Sequence, residues 1–375
     1  MTINPRNAAM ANMRLYEAET SVAMIAQRHG LDVEQVVDFS LNVNPFGPPA
    51  LAVDAARKAL PESHLYPDLH FDDLRQALAR RHDVEPDALF FGAGLDDVIK
   101  LIIHAWTSQG DRVLLHLPTF PRYELEAGLR GCELVCVEGA VPEKINLAGM
   151  HAALAGGDIA MTFLCTPNNP TGEKIPPDEI VRLAHAAGEG LVIVDEALMD
   201  PAQPGAIALV ARHPNLVVLR TFSKYFGLAG MRVGYAVAAP DLVRVAEVGR
   251  PPFNMARASV QAACAVLDDT AFLDGCRATF AQEFNWFQAS LADLPGVRIR
   301  GNNANMVLLD LDMEPDVAAQ KLAAQGVVVA DACSFRGMEK YRSLRVSLRG
   351  RADNKKLLAA LRGMFDEPSQ KSAGT

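Results

Sequence analysis

No stretch of this 375-residue chain is apolar for long enough to cross a membrane. Residues 1–13 lack the charged-then-hydrophobic pattern of a secretory signal. A cytoplasmic protein with no membrane partner is the expectation. Metal-ligand spacing is missing too: the nine histidines form no HExxH and the six cysteines no CxxC, so no metal site is expected. Cys132, Cys136, Cys165, Cys264, Cys276 and Cys333 lie mostly in apolar runs, which reads as buried free thiols in a reducing compartment. A basic excess is absent. The net charge of −9 argues against general nucleic-acid binding, though not against a local basic pocket for an anionic substrate. There is no internal repeat and no low-complexity tract. Residues 367–375 are polar and small and read as a frayed end.

Half of the residues are hydrophobic, enough to bury one large domain and a smaller one. Seven short apolar segments mark the first two thirds: Ala88-Leu89-Phe90-Phe91, Arg112-Val113-Leu114-Leu115-His116-Leu117, Glu133-Leu134-Val135-Cys136-Val137, Ile159-Ala160-Met161-Thr162-Phe163-Leu164, Leu191-Val192-Ile193-Val194, Leu216-Val217-Val218-Leu219 and Val233-Gly234-Tyr235-Ala236-Val237. Runs of this length, rich in Val and Ile, predict central strands covered on both faces. Helical patterns at 97–106, 121–129 and 177–187 separate them, so the expected class is α/β, a seven-stranded, mostly parallel sheet between helices. The short gap between the last two segments leaves room for one antiparallel strand. After Pro251 the rhythm changes to a long helical stretch, 256–294, broken near Asp268-Asp269, then short strands near 297–300, 306–309, 327–329 and 344–348. This predicts a smaller α+β domain over 251–375. The large domain is then 48–250, and segment 1–47 packs on the small domain or on a partner subunit.

Ligands of open α/β sheets bind at the carboxyl ends of strands, so the residues there carry the functional argument. Phe91 is followed by Gly92-Ala93-Gly94-Leu95-Asp96-Asp97, small residues opening a helix whose free N–H groups suit a phosphate. Leu117 leads to Phe120. Leu164 leads to Cys165-Thr166-Pro167-Asn168-Asn169-Pro170-Thr171-Gly172, turn chemistry that also puts Asn169 at the sheet edge. Asp195 follows four aliphatic residues, where a carboxylate is costly unless paired with a cation. Arg220-Thr221-Phe222-Ser223-Lys224 follows another, with Arg232 eight residues on. A lone Ser-Lys pair reads best as a solvated loop. Set among these neighbours, Lys224 instead suits a Schiff base with an aldehyde cofactor, pyridoxal 5′-phosphate (PLP). In that scheme Asp195 keeps the cofactor's pyridine nitrogen protonated, Asn169 bonds the ring oxygen, Phe120 stacks on the ring and Lys224 moves the proton at Cα.

From about Asp38 to about Arg362 the chain resembles the fold-type-I PLP enzymes of the aminotransferase class I/II family. The resemblance implies a cofactor phosphate cup of Gly94, Leu95, Asp96, Thr221, Ser223 and Arg232. It implies that Tyr66 reaches the phosphate of a neighbouring subunit, hence a homodimer with shared sites. It also implies that Arg345 meets the substrate α-carboxylate, with Asn44 and Arg349 at the substrate site. A distal anion on the substrate would be met by Arg14, Arg336 or Arg349. The run Asp38-Phe39-Ser40-Leu41-Asn42-Val43-Asn44-Pro45-Phe46-Gly47-Pro48-Pro49 is similar to the threonine-phosphate decarboxylase branch, and the whole also resembles the histidinol-phosphate aminotransferase branch. Leu198 stands where the aminotransferases usually carry a tyrosine, a loss shared with the decarboxylase. The decarboxylase's N-terminal His-Gly-Gly element has no counterpart around Met13-Arg14-Leu15-Tyr16. An aminotransferase acting on an L-amino acid, with a phosphate or other anion on the substrate left open, is the first expectation, as the commonest chemistry on the scaffold. A decarboxylase is the second. A non-catalytic binding protein is the third, and intact Lys224 and Asp195 oppose it.

Overall fold

The computed structural model describes residues 21–366. After a helix at Val22–His29 come a short strand, β1 (Val37–Asp38), and then β2 (Leu89–Gly92), β3 (Arg112–Leu117), β4 (Glu133–Glu138), β5 (Met161–Cys165), β6 (Leu191–Asp195), β7 (Leu216–Thr221) and β8 (Gly234–Val237). The seven strands β2 to β8 form one sheet in the order β2-β8-β7-β6-β5-β3-β4. The strands from β4 through to β7 are parallel, and β8 runs antiparallel between β2 and β7. Each predicted apolar segment lies on one of these strands, and β8 is the antiparallel member.

The strands are apolar throughout because both faces are covered. Side chains alternate with period two. Val192 and Val194 pack towards helices Asp72–His82, Leu147–Ala155 and Pro177–Ala186, while Leu191 and Ile193 face helices Leu95–Trp106, Arg122–Arg130 and Pro240–Gly249. Burying each such aliphatic side chain stabilises the fold by roughly 1.5–3 kcal/mol.

The second body is a four-stranded antiparallel sheet. Its strands are β9 (Val297–Asn303), β10 (Met306–Leu311), β12 (Ala330–Asp331) and β13 (Ser343–Ser347), in the order β12-β13-β10-β9. A short β11 (Val327–Val328) pairs instead with β1, in parallel. Phe39, fully buried, joins the core of this smaller body, and Ile25 and Ala26 pack on Ala323 and Val328. The described part of segment 1–47 thus rests largely on the small body.

The change of core does not fall at residue 251. Helix Arg257–Val266 places Val260, Ala262 and Ala263 in the large-sheet core. Helix Thr270–Leu291 begins there with Leu273 and ends in the small core with Phe287 and Leu291. We therefore propose that the domains meet within this helix. Its N-cap, Asp269, accepts the Phe272 N–H at 3.1 Å, which accounts for the break at Asp268-Asp269.

The two bodies touch at the carboxyl end of the large sheet. Gly172 has φ +77°, and a Cβ there would sit 2.5 Å from the Asn302 carbonyl oxygen. Only glycine lets the loop after β5 meet the β9–β10 hairpin this closely. Asn303 Nδ2 donates to the Leu198 carbonyl (2.9 Å) and Asn305 Nδ2 to that of Val43 (2.9 Å), tying the hairpin to two loops of the cleft.

Candidate active site

Asp195 ends β6, with Cys165 beside it on β5 and Leu219 on β7. Its side chain is buried among aliphatic residues, and no cationic side chain among the described residues forms an ion pair with it. Two donors hold it: Tyr123 Oη gives its proton to Oδ2 (2.6 Å) and the Ala197 N–H points at Oδ1 (2.8 Å). Burial pushes the carboxyl up to about 6, against the opposing pull of those two hydrogen bonds. A carboxylate held this way lacks a cation, and a pyridinium N–H supplies one.

Lys224 follows β7 on a loop anchored by the fully buried Phe222. Its ammonium donates to the Asn42 carbonyl. Loss of solvent, reinforced by the positive field of Arg345, brings the amine down to about 8. The neutral amine is thus more accessible near neutral pH than that of an ordinary lysine. That suits an amine that must act as nucleophile and base.

The residues expected to form a phosphate cup lie where β2, β7 and the loop before β8 converge. Gly94 caps helix Leu95–Trp106 with φ 87° and ψ 169°, so the first N–H groups of the helix face the cleft. Thr221 Oγ1 and Ser223 Oγ are 3.0 Å apart and bonded. The Arg232 guanidinium lies against Gly94, where a Cβ would come within 2.2 Å of Nη2. Asp96 stays on the rim, 3.7 Å from Arg122 Nε and 4.0 Å from Arg232 Nη2. A helix terminus, two hydroxyls and a guanidinium make a receptor for a dianion.

Asn169 and Arg345 join the two bodies. Arg345, buried on β13, donates from Nη1 to Asn169 Oδ1 (2.9 Å) and from Nη2 to the Ser40 carbonyl (2.7 Å), with its guanidinium over the Phe335 ring. Asn169 therefore keeps its amide NH2 for another acceptor. Phe120 stands edge-on to Tyr123, ring centroids 5.6 Å apart. Asn44 Nδ2 donates to the Tyr225 carbonyl at 2.8 Å, so this side chain braces the Lys224 loop. Leu198 is buried and lines a small cavity with Lys224, Tyr225 and Phe280.

The remaining expected residues have these partners within the chain. Arg349 donates to Asp353 (2.9 Å) and to the Asp38 carbonyl (3.3 Å). Arg336 is half exposed and pairs with Glu124 at 2.9 Å. Tyr66 is 77 % exposed and stacks on Phe253. Arg14 lies outside the described residues. Conversely, Tyr123 and the buried pair Glu196–Arg220, with Nη2 to Oε2 at 2.7 Å, were not singled out from the sequence. The spacing of Phe120 and Tyr123, three residues apart at a helix start, puts both rings on one side and was the available signal.

The sheet order and the place of its lysine put the chain in fold type I, the class built around pyridoxal 5′-phosphate. The chain belongs to the aminotransferase class I and II family, whose model matches residues 34–361. It is 31 % identical to histidinol-phosphate aminotransferase of Brevibacillus brevis over 358 residues, covering 94 % of this chain and 96 % of that protein. The crystal structure of histidinol-phosphate aminotransferase from Sinorhizobium meliloti, in complex with pyridoxal-5′-phosphate, superposes with a TM-score of 0.85 at 25 % identity, covering 96 % of this chain and 98 % of that one. L-threonine-O-3-phosphate decarboxylase from Porphyromonas gingivalis shares the fold, with a TM-score of 0.78 at 23 % identity over 88 % of this chain and all of that one. No helix among the described residues is long and apolar enough to cross a membrane.

Proposed function

We propose that the chain is a PLP-dependent aminotransferase acting on an L-amino acid that carries a phosphate or other anion, with Lys224 as the residue that carries the cofactor. The observation that supports this most is the pairing of a buried, cation-less Asp195 with a lysine brought down to about 8 at the same strand edge. When bound, the cofactor supplies an electron sink for the carbanion left at the substrate Cα. Asp195 holds the proton on the ring nitrogen. Asn169 offers its amide to the ring oxygen, and Phe120 covers a ring face. The helix terminus at Gly94-Leu95-Asp96, with Thr221, Ser223 and Arg232, holds the phosphate.

Arg345 meets the α-carboxylate. A carboxylate held there close to the plane of the cofactor ring would leave the Cα–H bond, rather than the Cα–carboxylate bond, free to face the base. Lys224 Nζ then takes the Cα proton and returns it during amino-group transfer. The curated relatives of similar length named histidinol-phosphate aminotransferase support this order of preference. Leu198 favours a second reading, a decarboxylase, since a leucine cannot bond the ring oxygen. We also place the enzyme in the cytoplasm, supported by six free thiols. We read it as a homodimer, supported by exposed Leu60, Leu65, Tyr66 and Leu69 on one run of chain.

The test is to incubate the PLP-loaded protein with a panel of amino acids, with and without a 2-oxo acid. Bleaching of the yellow absorbance, restored by the oxo acid, marks amino-group transfer. Carbon dioxide release without bleaching marks decarboxylation.

A further inference from the structure

We propose that Tyr123 is a positioning residue for the reaction: its phenol, donating to one oxygen of Asp195 from within the sheet face, fixes the carboxylate and keeps it ionised in a pocket closed to water. This rests on the reading of Asp195 as the partner of the ring nitrogen. Tyr123 is itself fully buried. Its ring lies nearly parallel to Phe163, 4.5 Å between centroids and 13° between planes, so it has one orientation. From helix Arg122–Arg130 the hydroxyl reaches Asp195 Oδ2 at 2.6 Å, a short charge-assisted bond. With Ala197 N–H on Oδ1, each carboxylate oxygen has one protein donor and spare capacity for one more.

The groups facing Asp195 explain why that donor matters. Cys165 on β5 is a neutral thiol, pushed up to about 12 by burial. Glu196, on the same strand end, is engaged by Arg220 and by the Ala206 N–H at 2.7 Å. Asp96 stands at the helix terminus and Lys224 on the facing loop. Burial, Asp96 and Glu196 all favour protonating Asp195. The phenol, whose own ionisation is suppressed by burial and by Asp195, remains a donor at any working pH. It is the chief group opposing them. Without it the carboxyl would compete for the proton that the ring nitrogen must keep.

Tyr123→Phe removes one oxygen and leaves the ring stack. In the cofactor-free protein, the Asp195 carboxyl, followed by 13C NMR and assigned with Asp195→Asn, should titrate about one to two pH units higher than in wild type. Fluorotyrosine at position 123, a stronger donor of nearly the same volume, should move it the opposite way, a reversal that packing alone does not produce. In Tyr123→Phe loaded with cofactor labelled at the ring nitrogen, the 15N resonance should shift towards its unprotonated position. The turnover number should fall about tenfold or more with KM little changed. An Asp195 titration unmoved by both substitutions overturns the proposal. Failure of the cofactor to attach at Lys224 would instead overturn the reading of the site, and the carboxyl titration would be unaffected by that outcome.

Discussion

Replacing Gly94 by alanine tests the phosphate cup through geometry alone. The residue sits at φ 87° and ψ 169°, a region that is essentially glycine-only and costs an L-residue about 1–3 kcal/mol. The added methyl would also meet Arg232 Nη2 at 2.2 Å and the guanidinium carbon at 2.7 Å. That neighbour is the far end of a flexible side chain, about half exposed and held by one hydrogen bond to the Ala229 carbonyl (3.0 Å), so it can swing away at modest cost to stability. Swinging away removes its charge from the cup. A hydrogen bond to a charged group contributes about 1.5–3 kcal/mol, which is roughly ten- to a hundredfold in Kd. Gly94→Ala should therefore lower the stability of the cofactor-free protein by about 1–3 kcal/mol and weaken PLP binding by that factor. Arg232→Ala should reproduce the weakened binding with little loss of stability. The assays are fluorescence titration of the apoprotein with PLP and urea denaturation. Wild-type affinity in Gly94→Ala would refute the placement of the phosphate.

Asp195→Asn should leave the fold intact and raise the barrier by about 3–5 kcal/mol, because an amide cannot hold the ring nitrogen protonated; near-normal turnover contradicts the role. The folded carboxyl holds its proton up to about 6, against 3.8 for its unperturbed value, so as pH rises through this window the wild-type apoprotein should lose stability relative to Asp195→Asn, seen in paired melts across pH 4–6.5. Arg345→Ala should raise KM for every amino acid accepted while the PLP spectrum stays unchanged; loss of PLP with normal substrate binding would mean that the site is oriented the other way. Arg220→Leu strands Glu196 in the interior without its partner and should cost about 3–5 kcal/mol in urea unfolding; a loss under 1 kcal/mol, against that estimate, would show that the pair is not needed.

The large sheet was legible because its strands are buried on both faces, so unbroken runs such as Leu191-Val192-Ile193-Val194 name themselves. The small body was harder to read. The stretch Val327-Val328-Val329 reads as one strand, but the chain divides into β11, paired with β1, and β12, paired with β13. The partner of β11, strand β1, lies more than two hundred residues away and leaves no local mark. Helix Arg257–Val266 shows an apolar face, but periodicity does not tell which core that face will join. Within the site, Lys224, Asp195 and Asn169 stood out because polar residues ending buried strands demand a reason. The local pair of Arg349 with Asp353, four residues on, was legible in the spacing alone. Tyr123 was hidden because an aromatic residue early in a helix ordinarily reads as core, and only the register of β5 and β6 brings Asp195 beneath its hydroxyl.

The central claim is that Lys224 carries the cofactor, and one measurement reaches it directly. The protein loaded with PLP is reduced with borohydride, digested and mapped by mass spectrometry. The account predicts a pyridoxyl group on Lys224, in the peptide containing Thr221-Phe222-Ser223-Lys224-Tyr225, and no label in Lys224→Ala. A label on another lysine, or a wild-type protein that binds PLP and takes none, would contradict it.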